Sequence, residues 1–182
     1  MARVVLTLGS NIDKERNLPA AVRLLAERAR LIAVSSVYET RPTGLLDQPN
    51  FFNAAVLLET DESPAELKDG LLREIETRLK RVRQADKNAP RTIDLDIALY
   101  DDRVFDYTPA DGRPRHIPDR DLLRFAHCAL PVADLLPDMA HPETGEPLAA
   151  VAARLELGSR EEDEPAISPR PDIDLGAYLN SR

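Results

Sequence analysis

The chain begins with an apolar run, "RVVLTL" (residues 3–8), which stops at the turn residues "GSN" (9–11) and reads as a strand. Residues 14–30 then change period. Leu18, Val22, Leu25 and Ala29 recur at helical spacing, and Pro19, tolerated only near a first turn, draws the start toward residue 18. "LIAVSSVYET" (31–40) reads as a strand, "RPTGLLDQPN" (41–50) as a long loop, and "FFNAAVLLET" (51–60) as another strand. Ser63 and Pro64 form a helix start, with Glu66 in the first turn, and that helix is expected to reach about Arg83. After the loop "QADKNAP" (84–90) comes a last strand, "RTIDLDIALY" (91–100). The order β-α-β-β-α-β predicts an α+β fold, a ferredoxin-like core with an antiparallel sheet and helices on one face.

Beyond residue 101 the pattern weakens into a helical extension. Residues 109–115 read as a turn-rich loop, 118–138 as two short helices broken near Pro131, and 147–157 as a further helix. Residues 1–157 are expected to form one domain. Residues 158–182 form an acidic, proline-containing tail, expected to be poorly ordered or docked at the periphery.

Composition narrows the class. With 182 residues, 43% hydrophobic and 31% charged, the chain suits one globular domain with a substantial core. It has no apolar run near the roughly 18 residues that span a bilayer, and its N-terminal apolar stretch is too short for a signal peptide. The single cysteine, Cys128, cannot form an internal disulfide and reads as a small buried apolar residue. A cytoplasmic protein with no membrane partner is expected, and a monomer is favoured.

The net charge of −8 argues against nucleic acid as a partner. The charge is uneven, however. Residues 73–91 carry seven Lys/Arg against three Asp/Glu, a local +4, whereas 160–174 carry six acids against two arginines. A basic island in an acidic protein points to a small, highly anionic ligand.

The last strand raises the sharpest question. Read with period two, Ile93, Leu95, Ile97 and Leu99 share one face and Asp94, Asp96, Ala98 and Tyr100 the other. Asp94 and Asp96 then stand roughly 6.5–7 Å apart, close enough to repel. A solvated face would tolerate them. A hard divalent cation such as Mg²⁺, held by one or two carboxylates and completed by substrate phosphates, would explain them. Arg81, Arg83 and Arg91 nearby suit a polyphosphate, while Arg78 and Lys80 read as a solvated helix face. The sequence contains no Walker motif, no GxGxxG, no zinc spacing and no nucleophile elbow, and His116, His127 and His141 are too scattered to suggest a metal trio.

Five stretches in order complete the picture: "LGSN" (8–11), "VSSVYET" (34–40), "DQPNFFNAAVLLET" (47–60), "IETRLKRVR" (75–83) and "PRTIDLDIALYDD" (90–102). Together they resemble the 6-hydroxymethyl-7,8-dihydropterin pyrophosphokinase family over residues 1 to about 102, with a weaker match to about 145. The resemblance implies a ferredoxin-like core and transfer of a pyrophosphoryl group from ATP to the pterin hydroxymethyl group, releasing AMP, in folate biosynthesis. Asp94 and Asp96 fall at the positions of its two-Mg²⁺ ligands. Arg81, Arg83 and Arg91 fall at ATP-phosphate contacts, with Arg81, Arg91 and both aspartates as the catalytic set. Glu76, Ile97 and Arg124 fall on the nucleotide side; Thr40, Gly44, Phe51, Asn53 and His127 on the pterin side.

The residue chemistry supports the pterin assignment independently. An aromatic face such as Phe51 can stack on a flat bicyclic ring, and Asn53 offers both donor and acceptor to its amide-like edge. Phe52, on the opposite face of the strand, is assigned to the core. The chain also departs from the family. It has "KNAPRT" (87–92), with Asn88, where the family carries an aromatic, and Asp119 where histidine is common. Arg124 lies one place off the expected arginine, and His127 stands where the second stacking aromatic would be. Two rivals fit less of this pattern: a pterin- or nucleotide-binding module of the same fold without turnover, and an RNA-binding domain, for which 4% aromatics and the negative charge are wrong.

Overall fold

The computed structural model describes residues 1–42, 47–86, 88–161 and 167–179. Strand β1 (Ala2–Ser10) leads into helix α1 (Lys14–Arg28), followed by β2 (Arg30–Val34), β3 (Tyr38–Thr40) and β4 (Phe51–Thr60). A helical stretch over 64–78 follows, built from α2 (Pro64–Leu67), a π-helical segment (Lys68–Leu72) and α3 (Arg73–Arg78). Strand β5 (Asp94–Tyr100) closes the core. The hairpin β6 (Phe105–Tyr107) and β7 (Arg115–Ile117), helices α4 (Ala126–Leu135) and α5 (Leu148–Glu161), and the short strand β8 (Ser168–Pro169) complete the order.

Among the described residues, six strands form one antiparallel sheet in the order β5-β1-β4-β3-β8, with β2 also paired to β4. The expected strand 31–40 is therefore two strands on one partner. They are separated around Ser35, whose N–H donates to Ala55 O and whose hydroxyl accepts from Ala55 N.

The two core helices cover one face. Leu18, Val22 and Leu25 of α1 and Leu67, Leu72 and Ile75 of the second helix bury against Leu6, Leu8, Val56 and Leu58. Each such side chain contributes roughly 1.5–3 kcal/mol on burial. The C-terminal extension covers the opposite face, where Val132 and Ala133 of α4 and Leu148 and Val151 of α5 pack on Val5, Ala55, Leu57 and Leu99. The two core helices thus share one face, as the sequence pattern predicted, and the helical extension, whose place the pattern did not give, covers the other. Among the described residues no helix is long and apolar enough to cross a membrane.

Four local expectations are corrected. Helix α1 starts at Lys14, with Pro19 inside it. The carbonyl left without a proline partner, that of Glu15, belongs to an exposed residue that water can serve. Pro131 likewise lies within α4 and does not break it. The second helix ends at Arg78, where the chain turns through Lys80 at φ 60. Finally, β5 carries a bulge. Val5 pairs with Leu99 but Leu6 with Ile97, so Ala98 is the extra residue and the faces switch after it. Leu99 consequently joins the α4–α5 side and Tyr100 the α1 side, the reverse of the period-two reading.

Candidate functional site

Both acidic positions on β5 stand on the sheet face that carries α4, beyond that helix's cover. The register sets Asp94 beside Gly9 and Gly9 beside Asn53, while Asp96 lies beside Thr7. Glycine at position 9 leaves the floor between Asp94 and Asn53 low. A Cβ there would come 3.7 Å from Asn53 Oδ1. Above this floor opens a cavity of about 400 Å³, whose walls include Thr40, Phe51, Asn53, Arg91, Asp94, Asp96, Asp119, Arg124 and His127. Nine separated sequence positions from four parts of the fold thus converge. A second cavity of about 310 Å³ is lined by Ile97, Tyr107, Arg115 and His116, and shares Asp96 and Asp119 with the first.

The pairing of the two acids answers the repulsion argument. Arg91 Nη1 donates to Asp94 Oδ2 at 2.5 Å. Lys68 Nζ donates to Asp96 Oδ1 at 2.8 Å and also to Leu95 O. Each carboxylate therefore has its own cation. Burial opposes ionisation of Asp96, but the adjacent Lys68 ammonium wins and holds its carboxyl below the usual range. Its side chain still keeps 42% of its surface exposed on the cavity wall.

Lys68 was not singled out by the sequence. It lies in the π-helical segment and is buried, and with Glu76 it closes the open edge of β5. Lys68 satisfies Leu95 O, and Glu76 Oε1 accepts from Leu95 N at 3.1 Å. Glu76 Oε2 accepts from Arg83 at 2.8 Å. Burial raises the Glu76 carboxyl above its ordinary value, with Lys68 and Arg83 pulling the other way. Glu76 and Arg83, expected beside a nucleotide, are thus paired with each other beneath the strand edge and line neither cavity. Arg81 is different. Like them it lines neither cavity, but among the described residues its guanidinium donates to Val82 O at 3.5 Å and its buried Nε has no hydrogen-bond partner. Burial lowers its proton affinity, with Asp94 acting in the opposite direction. Ile97 packs in the α1-side core and reaches the second cavity. Gly44 lies outside the described residues.

Asn53 Nδ2 donates to Thr40 Oγ1 at 2.9 Å, and Phe51 pairs with Thr40 across β3 and β4. The Arg91 guanidinium lies 5.7 Å from the centre of the Phe51 ring, linking the acidic and aromatic halves of the cavity. Also on the cavity wall, His127 stacks on Phe125 with centroids 5.3 Å apart and planes at 24°, and the Arg124 guanidinium lies 5.2 Å from the centre of the Phe125 ring. Burial lowers the His127 pKa, which favours the neutral ring. Burial also raises the Cys128 thiol well above its ordinary value, consistent with an unreactive residue.

Asn11 is the other residue that the sequence reading passed over, as part of a turn. It is 2% exposed. Its Oδ1 accepts from Arg91 N, and its Nδ2 donates to Gln48 Oε1 and Pro49 O. Gln48 in turn donates to Asn88 O. One side chain thus joins the end of β1 to both loops that border the cavity.

Asp119 sits where the two cavities meet. Its N–H donates to Ala98 O, the bulge residue, and its Oδ1 accepts from Asp121 N. Burial, aided by Asp96, raises its carboxyl from 3.8 to about 6. The folded state therefore binds this proton more tightly than the unfolded chain does. Stability is lost as pH rises through about 6 and the loss is absent below about 4, where both states are protonated. Asp119→Asn should accordingly stabilise the metal-free protein at pH 7.5. The side chain is partly exposed, so the gain is on the order of 1–2 kcal/mol and not the full shift. Urea denaturation at pH 7.5 and pH 4 checks this, and a gain that persists unchanged at pH 4 would contradict it.

As a metal site, the donor set is two carboxylates on one face. Among the described residues no group of three or more His, Cys, Asp or Glu side chains is arranged to hold an ion. That composition fits a hard cation that brings most of its shell from a phosphate substrate and water, and does not fit a resident transition metal.

Residues 5–137 match the family model described as 7,8-dihydro-6-hydroxymethylpterin-pyrophosphokinase. The chain belongs to this family. Among curated relatives, the 2-amino-4-hydroxy-6-hydroxymethyldihydropteridine pyrophosphokinase of Pseudomonas aeruginosa is 37% identical over 145 residues, 78% of this chain and 85% of that protein. The enzyme of the same name from Methylorubrum extorquens is 38% identical over 142 residues, 76% of this chain and 85% of that protein. Among solved structures, a triple mutant of Plasmodium falciparum HPPK-DHPS superposes with a TM-score of 0.72 at 14% identity, over 92% of this chain. The present pyrophosphokinase family member spans 48% of that longer chain, and at this identity the likeness concerns the fold alone.

Proposed function

We propose that this chain transfers the pyrophosphoryl group of ATP to the hydroxymethyl group of 6-hydroxymethyl-7,8-dihydropterin and releases AMP. Membership of the pyrophosphokinase family supports the reaction class. The observation that carries the substrate arrangement is that two cavities of different character meet at Asp96 and Asp119. The first, with Phe51, Asn53 and Thr40, suits the pterin. The second, with Ile97, Arg115 and His116, suits the nucleotide. The core reads as ferredoxin-like, since the order β5-β1-β4 followed by the β2–β3 edge is the arrangement expected of β-α-β-β-α-β connectivity.

Asp94 and Asp96 would hold two Mg²⁺ ions accompanying ATP, which supply charge neutralisation on the phosphate oxygens. The chain's own contribution is positioning. Phe51 stacks on the pterin face, and Asn53, its amide oriented by Thr40, reads the ring edge. This presents the pterin hydroxyl for in-line attack on the β-phosphorus. Arg91 lies between the carboxylates and the Phe51 face, within reach of a phosphate oxygen. Arg81, without a carboxylate partner among the described residues, is the second guanidinium available to the polyphosphate.

Incubation with MgATP and the hydroxymethyl pterin should yield AMP. ADP would indicate an ordinary kinase, and no turnover would favour a binding module. Phe51→Ala should weaken pterin binding by about 1–3 kcal/mol, the range for losing one stacking partner, with ATP affinity nearly unchanged. Titration calorimetry with each substrate tests the split. Equal loss of both would make Phe51 a packing residue.

A further inference from the structure

The segment 167–179 lies outside the part of the chain that matches the family, which ends at residue 137. It is docked on the core. Strand β8 pairs with β3, Tyr38 opposite Pro169 and Glu39 opposite Ser168, and Arg170 N donates to Val37 O. Leu175 is 2% exposed, and Ile173 and Tyr178 pack beside it on the α1-side core. The anchor is therefore apolar, and the Arg170 side chain also pairs with the exposed Asp172 beside it, Nε donating to Oδ1 at 2.9 Å and Nη2 to Oδ2 at 2.8 Å.

What Arg170 touches is the back of the pterin pocket. Its Nη1 donates to Glu39 Oε2 at 2.6 Å, and its guanidinium lies 4.8 Å from the centre of the Phe52 ring. Glu39 Oε1 accepts from Lys14 Nζ at 2.6 Å, and Lys14 Nζ also donates to Asn50 O at 2.9 Å. Glu39 precedes Thr40, and Asn50 precedes Phe51. The chain of contacts Arg170–Glu39–Lys14–Asn50 thus ties together the two ends of the 41–50 loop, from which Thr40 and Phe51 face the cavity. Strand β3 has three residues and would otherwise be the sheet edge here, with one partner strand to hold it.

The geometry points to Arg170 as a positioning residue for the pterin pocket, acting through Glu39 and Lys14 on Thr40 and Phe51 from the face opposite the ligand. This assignment rests on the pterin reading of the first cavity. The nucleotide-side cavity shares no residue with the strap, so the effect is confined to one substrate.

Arg170→Gln in the full chain should weaken binding of 6-hydroxymethyl-7,8-dihydropterin about tenfold, the scale seen when a partner that orients a binding residue is removed. The affinity for MgATP should change less than about twofold, and Tm should hold because the Leu175 anchor remains. Arg170→Lys, which can still reach Glu39, should recover much of the loss. In a Glu39→Gln background, Arg170→Gln should add little, since both changes break one chain of contacts. Unchanged pterin affinity in Arg170→Gln overturns the assignment, as does equal weakening of both ligands with a fall in Tm. If the unaltered protein binds the pterin but makes no AMP, the pyrophosphokinase reading fails and the binding comparison still decides the role of Arg170. If it does not bind the pterin, both fall.

Discussion

Asp96→Ala is expected to abolish AMP formation while also lowering thermal stability. The first effect follows from removing one of the two carboxylates available to Mg²⁺. A loss of at least roughly 10³-fold in turnover corresponds to about 4 kcal/mol of transition-state stabilisation. The second has the opposite sign to what the sequence alone implies. Two adjacent carboxylates should repel, so deleting one should relieve the fold. In the structure that repulsion is already compensated, because Asp94 is paired with Arg91 and Asp96 with Lys68. Deleting Asp96 takes a hydrogen-bonded counter-charge from a buried ammonium, at a cost of about 1–3 kcal/mol. Coupled assays for AMP and thermal unfolding without Mg²⁺ read the two effects separately. Near-normal activity would return Asp96 to the status of a solvated strand residue, and a raised Tm would mean that the Lys68 pair contributes nothing.

Lys68→Met should be the most destabilising single change considered. Lys68 is buried among Leu95 O, Asp96 and Glu76, with Nζ 3.9 Å from Glu76 Oε1. Burial works against its charge, but the two carboxylates outweigh this and raise its proton affinity. Methionine fills similar volume but leaves Glu76 buried without this counter-charge and the strand-edge carbonyl without a donor. Breaking such a pair from one side costs roughly 3–5 kcal/mol, a Tm decrease on the order of 10 °C for a chain of this size. Converting Glu76 to glutamine in the same protein removes a buried charge then balanced by Arg83 alone and should recover part of the loss. If Lys68→Met unfolds at the temperature of the unaltered protein, the buried pair is not a structural element. Activity should fall as well, because Asp96 loses the group that orients it.

These expectations also separate what could be read from the chain and what could not. Period-two and period-3.6 patterns placed β1, β4, β5 and both core helices within a few residues, because each element has one face buried against a continuous core and its pattern records that burial. The helix start at Ser63 was legible for the same local reason: Ser63 and Glu66, which form a capping box, lie three residues apart. Asp94 and Asp96 stood out because strand alternation assigns their face without knowledge of neighbouring strands, whereas Phe51 and Asn53 were pointed to by the family resemblance.

The turn-rich loop at 109–115 was legible but the strands β6 and β7 that flank it were not, since each has three residues and is held by pairing that no local pattern encodes. Nor was the bulge at Ala98, which depends on register against β1. Lys68 looks like an ordinary polar helix residue until the helix is laid on the edge of β5. Asn11 looks like a turn residue until two loops close around it. Arg170 lies in an acidic tail that composition alone would leave peripheral, yet it pairs with Glu39, 131 residues away. The sequence by itself determined which segments bury a face and which residue types could bind phosphate, metal and a flat ring. Only the tertiary structure decided how the charges are paired, because a buried charge is stabilised by whichever counter-charge the fold brings within about 3–4 Å, and that neighbour has no fixed distance along the chain.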